Sequence, residues 1–118
     1  MLLPRGKEAI VDIRKLRDYC LNSDNPRGSH KARVFAAALG LTATDAETMR
    51  EQLLQAACIA EAAPGELDMH GQRYTVDFEM KTEMGQATVR SGWIILHGEH
   101  TPRLTTCYVT KKRKGDES

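Results

Sequence analysis

The chain has little from which to build a covalent framework. Its 118 residues hold three cysteines, Cys20, Cys58 and Cys107, an odd number at wide spacings that excludes a disulfide scaffold and a CxxC metal clip. Their apolar surroundings point to buried, reduced thiols, and the expected compartment is cytoplasmic. Aromatics make up only 5% of the chain. The core must therefore come from Ala, Leu, Val, Ile and Met, with Tyr19, Phe35, Tyr74, Phe78, Trp93 and Tyr108 as scattered large fillers. No segment approaches the ~20 apolar residues of a membrane span, and MLLPRGKEAIVD lacks a signal-peptide apolar run, so no membrane partner is expected. A Gly-rich phosphate loop, a nucleophile elbow and paired carboxylates at catalytic spacing are all missing. His97-x-x-His100 has no third ligand nearby, which reads as a hairpin loop, and neither metal nor cofactor is expected.

Charge of one sign is also lacking: the net value is +1. Its distribution is uneven. Residues 1–35 carry eight Lys/Arg against four Asp/Glu, net +4; residues 36–85 carry three against nine, net −6; residues 86–118 carry six against three, net +3. If the two basic ends meet in space they form a cationic face suited to nucleic acid; otherwise they are ordinary solvated surface.

What is present suffices for one α+β domain over residues 1–110, with the polar KKRKGDES of 111–118 as a disordered tail. Ile13, Leu16 and Cys20 recur at helical spacing after a possible Asp12 N-cap. Ser29 is placed to cap a second helix presenting Val34, Phe35, Ala38, Leu39 and Leu41, with Gly40 at its left-handed C-terminus. Thr44-Asp45-Ala46-Glu47 has capping-box spacing. It would open the longest helix, with Ala46, Met49, Leu53, Ala56, Ala57 and Ala60 as the buried stripe and Pro64-Gly65 as its end.

The period then changes from helical to alternating. Tyr74, Val76, Phe78 and Met80 face one way and Arg73, Thr75, Asp77 and Glu79 the other; a turn at 82–85 leads to Ala87, Val89, Trp93 and Ile95, opposite Thr88, Arg90 and Gly92. A further strand spans 103–110. Helices segregated from strands imply three N-terminal helices packed on one face of an antiparallel meander of three to four strands.

The chemistry concentrates in residues 21–35, LNSDNPRGSHKARVF. A polar turn delivers the chain into a helix whose start gathers Arg27, His30, Lys31 and Arg33, where free backbone N–H groups add positive potential, so a phosphate is the natural guest.

Three segments together carry a resemblance. LNSDNPRGSHKARVF, GQRYTVDFEM and VRSGWIILHGEHTPRLTTCYV resemble a family of small bacterial domains sharing LNPxHPxGxxKAxxF, GQRYxVDF and RxxWIVxxGExxPRLxTCY, over nearly all of residues 1–110. Such domains occur alone and at the tips of polymorphic toxins. The resemblance implies a toxin-type protein with a small cognate antitoxin or immunity protein encoded nearby. The layout is also similar to the ribonuclease superfold that groups barnase, EndoU and RelE-type toxins, which implies metal-independent RNA cleavage. The family's turn histidine is replaced here by Asn25, whereas His30 keeps its place beside Lys31.

A metal-free ribonuclease needs a base for the 2′-OH, cations for the phosphorane and an acid for the leaving oxygen. The candidates are His30 for the proton, Lys31 and Arg90 for the phosphate charge, and Thr106 or Tyr108 to orient an oxygen, with Arg27, Arg33 and Arg103 as further RNA contacts. Each has a plainer reading: a surface histidine, an ion pair from Arg90 to Asp77 or Glu79, and cross-strand packing for Tyr108. Thr105 and Thr106 should alternate faces, so that one of them looks at the site. The alternative function is a module that binds RNA or a partner without cutting.

Overall fold

The structure is a computed structural model that describes residues 1–112. It has α1 (Ile13–Lys15), a π-helical turn (Leu16–Cys20), α2 (Ser29–Leu39), a 3-10 turn (Ala43–Asp45) and α3 (Ala46–Ile59). The strands β1 (Ala62–Leu67), β2 (Gly71–Thr82), β3 (Gly85–Leu96) and β4 (Arg103–Lys112) follow. They form one antiparallel sheet in the order β1-β2-β3-β4, so the fold is α+β with helices preceding strands. No helix among the described residues is long and apolar enough to cross a membrane.

Five of the six residues of the expected α3 stripe, Ala46, Met49, Leu53, Ala56 and Ala57, are buried, whereas Ala60 is the half-buried C-cap. The capping box sits two residues earlier than expected, with Thr42 and Asp45 exchanging the reciprocal bonds and the 3-10 turn intervening before α3. Thr42 N donates to the Asp45 carboxylate at 2.9 Å. The helix also stops earlier, at Ile59. Pro64 and Gly65 lie inside β1, an edge strand, where a residue without an N–H costs no ladder bond on the outer side. Helix α2 ends as expected, with Gly40 in the left-handed region at φ 70. Its buried residues are Ala32, Phe35, Ala38 and Leu39, and Val34 is only half-buried.

The hairpin register pairs Thr82 with Gly85 and runs without a slip to Gly71 with Leu96. Val76 and Met80 of β2, Ala87, Val89 and Trp93 of β3, and Leu104 and Cys107 of β4 form the buried side, against which α2 and α3 pack. Ser91 is the buried polar side chain in this row. Its Oγ donates to Val76 O at 2.7 Å and accepts from Trp93 Nε1 at 2.9 Å, so neither group is left unsatisfied. The opposite face carries Asp77, Arg90 and Tyr108 as one cross-strand row. Pairing of Thr88 with Lys111 and of Ala87 with Lys112 draws the first two residues of the expected tail into β4; residues 113–118 lie outside the described part.

The free edge of β4 is paired at its first residues. Ile10 makes a parallel bridge to Arg103, with Ile10 N donating to Pro102 O at 2.9 Å and Leu104 N to Ile10 O at 3.0 Å. Exposed strand edges invite unwanted pairing, and this short lead-in segment blocks it at Arg103 and Leu104. Cys20 and Cys107 are buried as expected, whereas Cys58 is partly exposed, with its thiol donating to Gly6 O at 3.7 Å.

Candidate functional site

The turn between Cys20 and Ser29 is shaped by two asparagines. Asn22 Oδ1 accepts from Asp24 N at 2.9 Å. Asn25 Oδ1 accepts from Arg27 N at 2.9 Å and Gly28 N at 3.3 Å, while its Nδ2 donates to Asp18 O at 3.0 Å. Asn25 is thus the organiser of this turn. Gly28, not Ser29, is the N-cap, and no side chain caps the helix. A Cβ on Gly28 would lie 2.5 Å from Tyr19 O, so only glycine lets the turn fold back onto the π-helical segment.

Helix geometry then sorts the cations. Lys31, Phe35 and Ala38 follow each other at i, i+4 and i+7, so the Lys31 side chain emerges from the buried stripe on the side packed against β4. Its Nζ lies 4.7 Å from the Tyr108 ring centroid. Tyr108 is paired with Arg90 across the ladder, and Arg90 is paired with Asp77. Lys31 thus reaches Tyr108 from α2, Tyr108 is the cross-strand neighbour of Arg90, and Thr106 precedes it by two residues on β4. His30 is next to Lys31, exposed, with no hydrogen bond or ion pair to its ring among the described residues. Arg33 lies about 200° round the helix from Lys31 and is exposed, as is Arg27. Arg103 is not part of the cluster. It stands five residues from Tyr108, about 16 Å along the strand, and is ion-paired with Glu99 at 3.1 Å.

Arg90 makes the ion pair that was the plainer reading of its sequence position. Its Nε and Nη2 each donate to Asp77 at 2.9 Å, a bidentate fork with both side chains partly open to solvent. The expected alternation of Thr105 and Thr106 does not hold. A β-bulge opposite Gly92 sets both against one residue: a Cβ on Gly92 would meet Thr105 Oγ1 at 2.9 Å and Thr106 Cγ2 at 3.5 Å. Thr105 lines a groove of about 530 Å³ with Asp12, Arg14, Lys15, Asp18 and Tyr19. On the open face a second depression, about 290 Å³, lies beside Arg90 between Thr75, Asp77 and Ala63.

Sequence reasoning placed Cys20 and Cys107 in the core but gave no sign that either thiol is perturbed. Cys20 and Cys107 are 0% exposed. Hydrogen bonds from the Cys107 thiol and backbone N–H, the Thr106 hydroxyl nearby and the Lys31 charge together draw the Cys20 thiol down to about 7, against the pull of burial. Cys107, donating to Cys20 and wholly desolvated, is pushed well up. Thr106 Oγ1 is buried and has no partner of conventional hydrogen-bond geometry among the described residues. The 87-residue separation of the two cysteines leaves no local signal that would link them.

Residues 2–111 match the family described as a domain of unknown function, DUF6883, and the chain belongs to that family. A comparison with curated proteins finds no match.

Proposed function

We propose that this chain is a toxin-type, metal-independent endoribonuclease that works in the cytoplasm and is restrained by a small cognate antitoxin or immunity protein. The observation that supports this reading is the contact of Lys31 with Tyr108, whose cross-strand neighbour is Arg90, with the solvent-open His30 next to Lys31 in sequence. His30 takes the 2′-OH proton, and the 2′-oxygen attacks the adjacent phosphorus. The 5′-oxygen departs and takes a proton from water, leaving a 2′,3′-cyclic phosphate and a 5′-hydroxyl. Lys31 offsets the charge that develops on the phosphorane, Tyr108 orients a phosphate oxygen, and Arg27 and Arg33 guide the strand. Arg90 joins the phosphate contact by exchanging one arm of its fork with Asp77.

One observation favours the second reading, a module that binds RNA or its protein partner without cutting: the Arg90 charge is already matched by Asp77. Incubating the purified chain with a synthetic RNA in excess chelator separates the two. Fragments ending in 2′,3′-cyclic phosphate support cleavage; retention of intact RNA supports binding alone; neither would refute both.

A further inference from the structure

Lys15, Asp18 and Tyr19 stand at i, i+3 and i+4 where α1 passes into the π-helical turn, the spacing that puts side chains on one helical face. With Asp12, Arg14 and Thr105 of β4 they line the groove of about 530 Å³, within the ~300–1,000 Å³ range of sites that hold small organic ligands. Both carboxylates there are matched. Arg14 forks Asp12 at 3.0 and 2.8 Å, and Arg17 forks Asp18 at 2.8 and 3.0 Å. The exposed Lys15 ammonium has no hydrogen bond or ion pair among the described residues, so three cations stand against two carboxylates and the groove is left at net +1. Tyr19 is half-buried against the core, and Gly28 closes in beside its ring: a Cβ on Gly28 would lie 3.5 Å from Tyr19 Cδ1. The Thr105 hydroxyl has no hydrogen-bond partner among the described residues. The β-bulge turns Thr105 Oγ1 towards Gly92, which shares a face with Arg90 two residues away. The groove therefore adjoins the side of β4 that carries Tyr108, about 10 Å along the strand.

We infer that this groove is a nucleotide subsite flanking the phosphate held at Lys31: a base of a single-stranded RNA stacks on the Tyr19 ring, its own phosphate pairs with Lys15, and its polar edge meets the Thr105 hydroxyl. The inference rests on the RNA reading above and adds that the RNA is single-stranded, because a base held in a duplex stack cannot reach an aromatic side chain. Stacking tolerates any base, since each has a π-face. The Thr105 hydroxyl both donates and accepts, so it selects none of them.

The test uses the full chain and a 2′-fluoro single-stranded oligonucleotide, which lacks the 2′-OH and stays intact, carrying 5-iodouridine at each position in turn. Binding is read by fluorescence anisotropy; the complex is then irradiated, digested with trypsin and mapped. The expected product is the oligonucleotide joined through Tyr19 to the peptide spanning 18–27. Tyr19→Leu should weaken binding about 5- to 100-fold, and Tyr19→Phe should keep it near the parental value. Lys15→Met, at an exposed position that leaves the fold intact, should lower the slope of log affinity against log salt by about one. Equal affinity for a duplex of the same length, or cross-links confined to 104–111 together with a parental salt slope in Lys15→Met, would overturn the subsite while leaving RNA binding at Lys31 in place. No binding of the oligonucleotide at low salt would overturn both the subsite and the RNA reading.

Discussion

The Lys31 ammonium lies 4.7 Å from the centre of the Tyr108 ring, joining the start of α2 to the last strand of the sheet. A cation over an aromatic face at a partly open site contributes about 0.5–1 kcal/mol, too little for this contact to be retained for stability alone. Lys31→Met should accordingly cost less than about 1 kcal/mol in denaturant unfolding. In RNA binding it should weaken affinity across sequences and lower the slope of log affinity against log salt by about one. An unchanged slope in a titration by fluorescence anisotropy would remove Lys31 from the RNA contact.

Arg90 and Asp77 offer a gain-of-binding variant. The fork is exposed enough that removing it should cost no more than about 1 kcal/mol. Asp77→Asn releases Arg90, so RNA affinity is expected to rise while the fold persists. A fall in affinity without unfolding would mean that Asp77 itself faces the ligand.

Gly28 tests how the turn positions the helix. A methyl group there meets the backbone oxygen of Tyr19 at 2.5 Å, an atom that cannot rotate away. Gly28→Ala should destabilise by about 1–3 kcal/mol and displace the first turn of α2, with a loss of RNA activity larger than that in a destabilised core variant such as Leu53→Ala compared at equal folded fraction. Equal activities would separate the turn from the site.

The β1–β2 connection supplies a pH dependence. Asp68 accepts from Arg73 Nε and His70 N at 2.8 Å and from Gly71 N at 3.3 Å, which lowers its carboxyl from 3.8 to about 2. A carboxyl lowered by folding stabilises the hairpin fully above its unfolded value, and that support is lost as pH falls through about 2. The Asp68 carboxyl carbon should titrate by NMR below the ordinary carboxylate range, with His70 and Gly71 amide protection persisting to the same pH. Titration at the ordinary value would break this account.

Much of the architecture was legible because it rests on local periods. The Ala46 to Ala57 stripe and the alternation from Tyr74 to Met80 each state which face is buried. Gly40 marked its helix end because few residues adopt its conformation. The first strand was illegible: in Ala62–Leu67 five of six residues are not buried, and Pro64 and Gly65 read as a breaker. The bulge at Thr105 and Thr106 was equally hidden, since it depends on the space that Gly92 leaves on the neighbouring strand.

The site was legible in its cations and not in their pairing. His30, Lys31 and Arg90 stand out by residue type, and the contact of Lys31 with Tyr108 follows from α2 packing on β4. That Arg90 would be matched by Asp77 was readable as an option, because residues on facing strands of a short-turn hairpin share a register. That Arg103 would stand apart with Glu99 was not, because strand length sets its distance from Tyr108.

The most direct test of the ribonuclease reading is the rate of RNA cleavage by His30→Ala in excess chelator, with folding followed by circular dichroism. An exposed histidine with no partner should contribute less than about 0.5 kcal/mol to stability, so the variant is expected to fold as the parent does. Loss of a general acid or base costs about 10²- to 10⁴-fold in rate. The account predicts a loss in that range with RNA affinity little changed; cleavage by His30→Ala at the parental rate would contradict it.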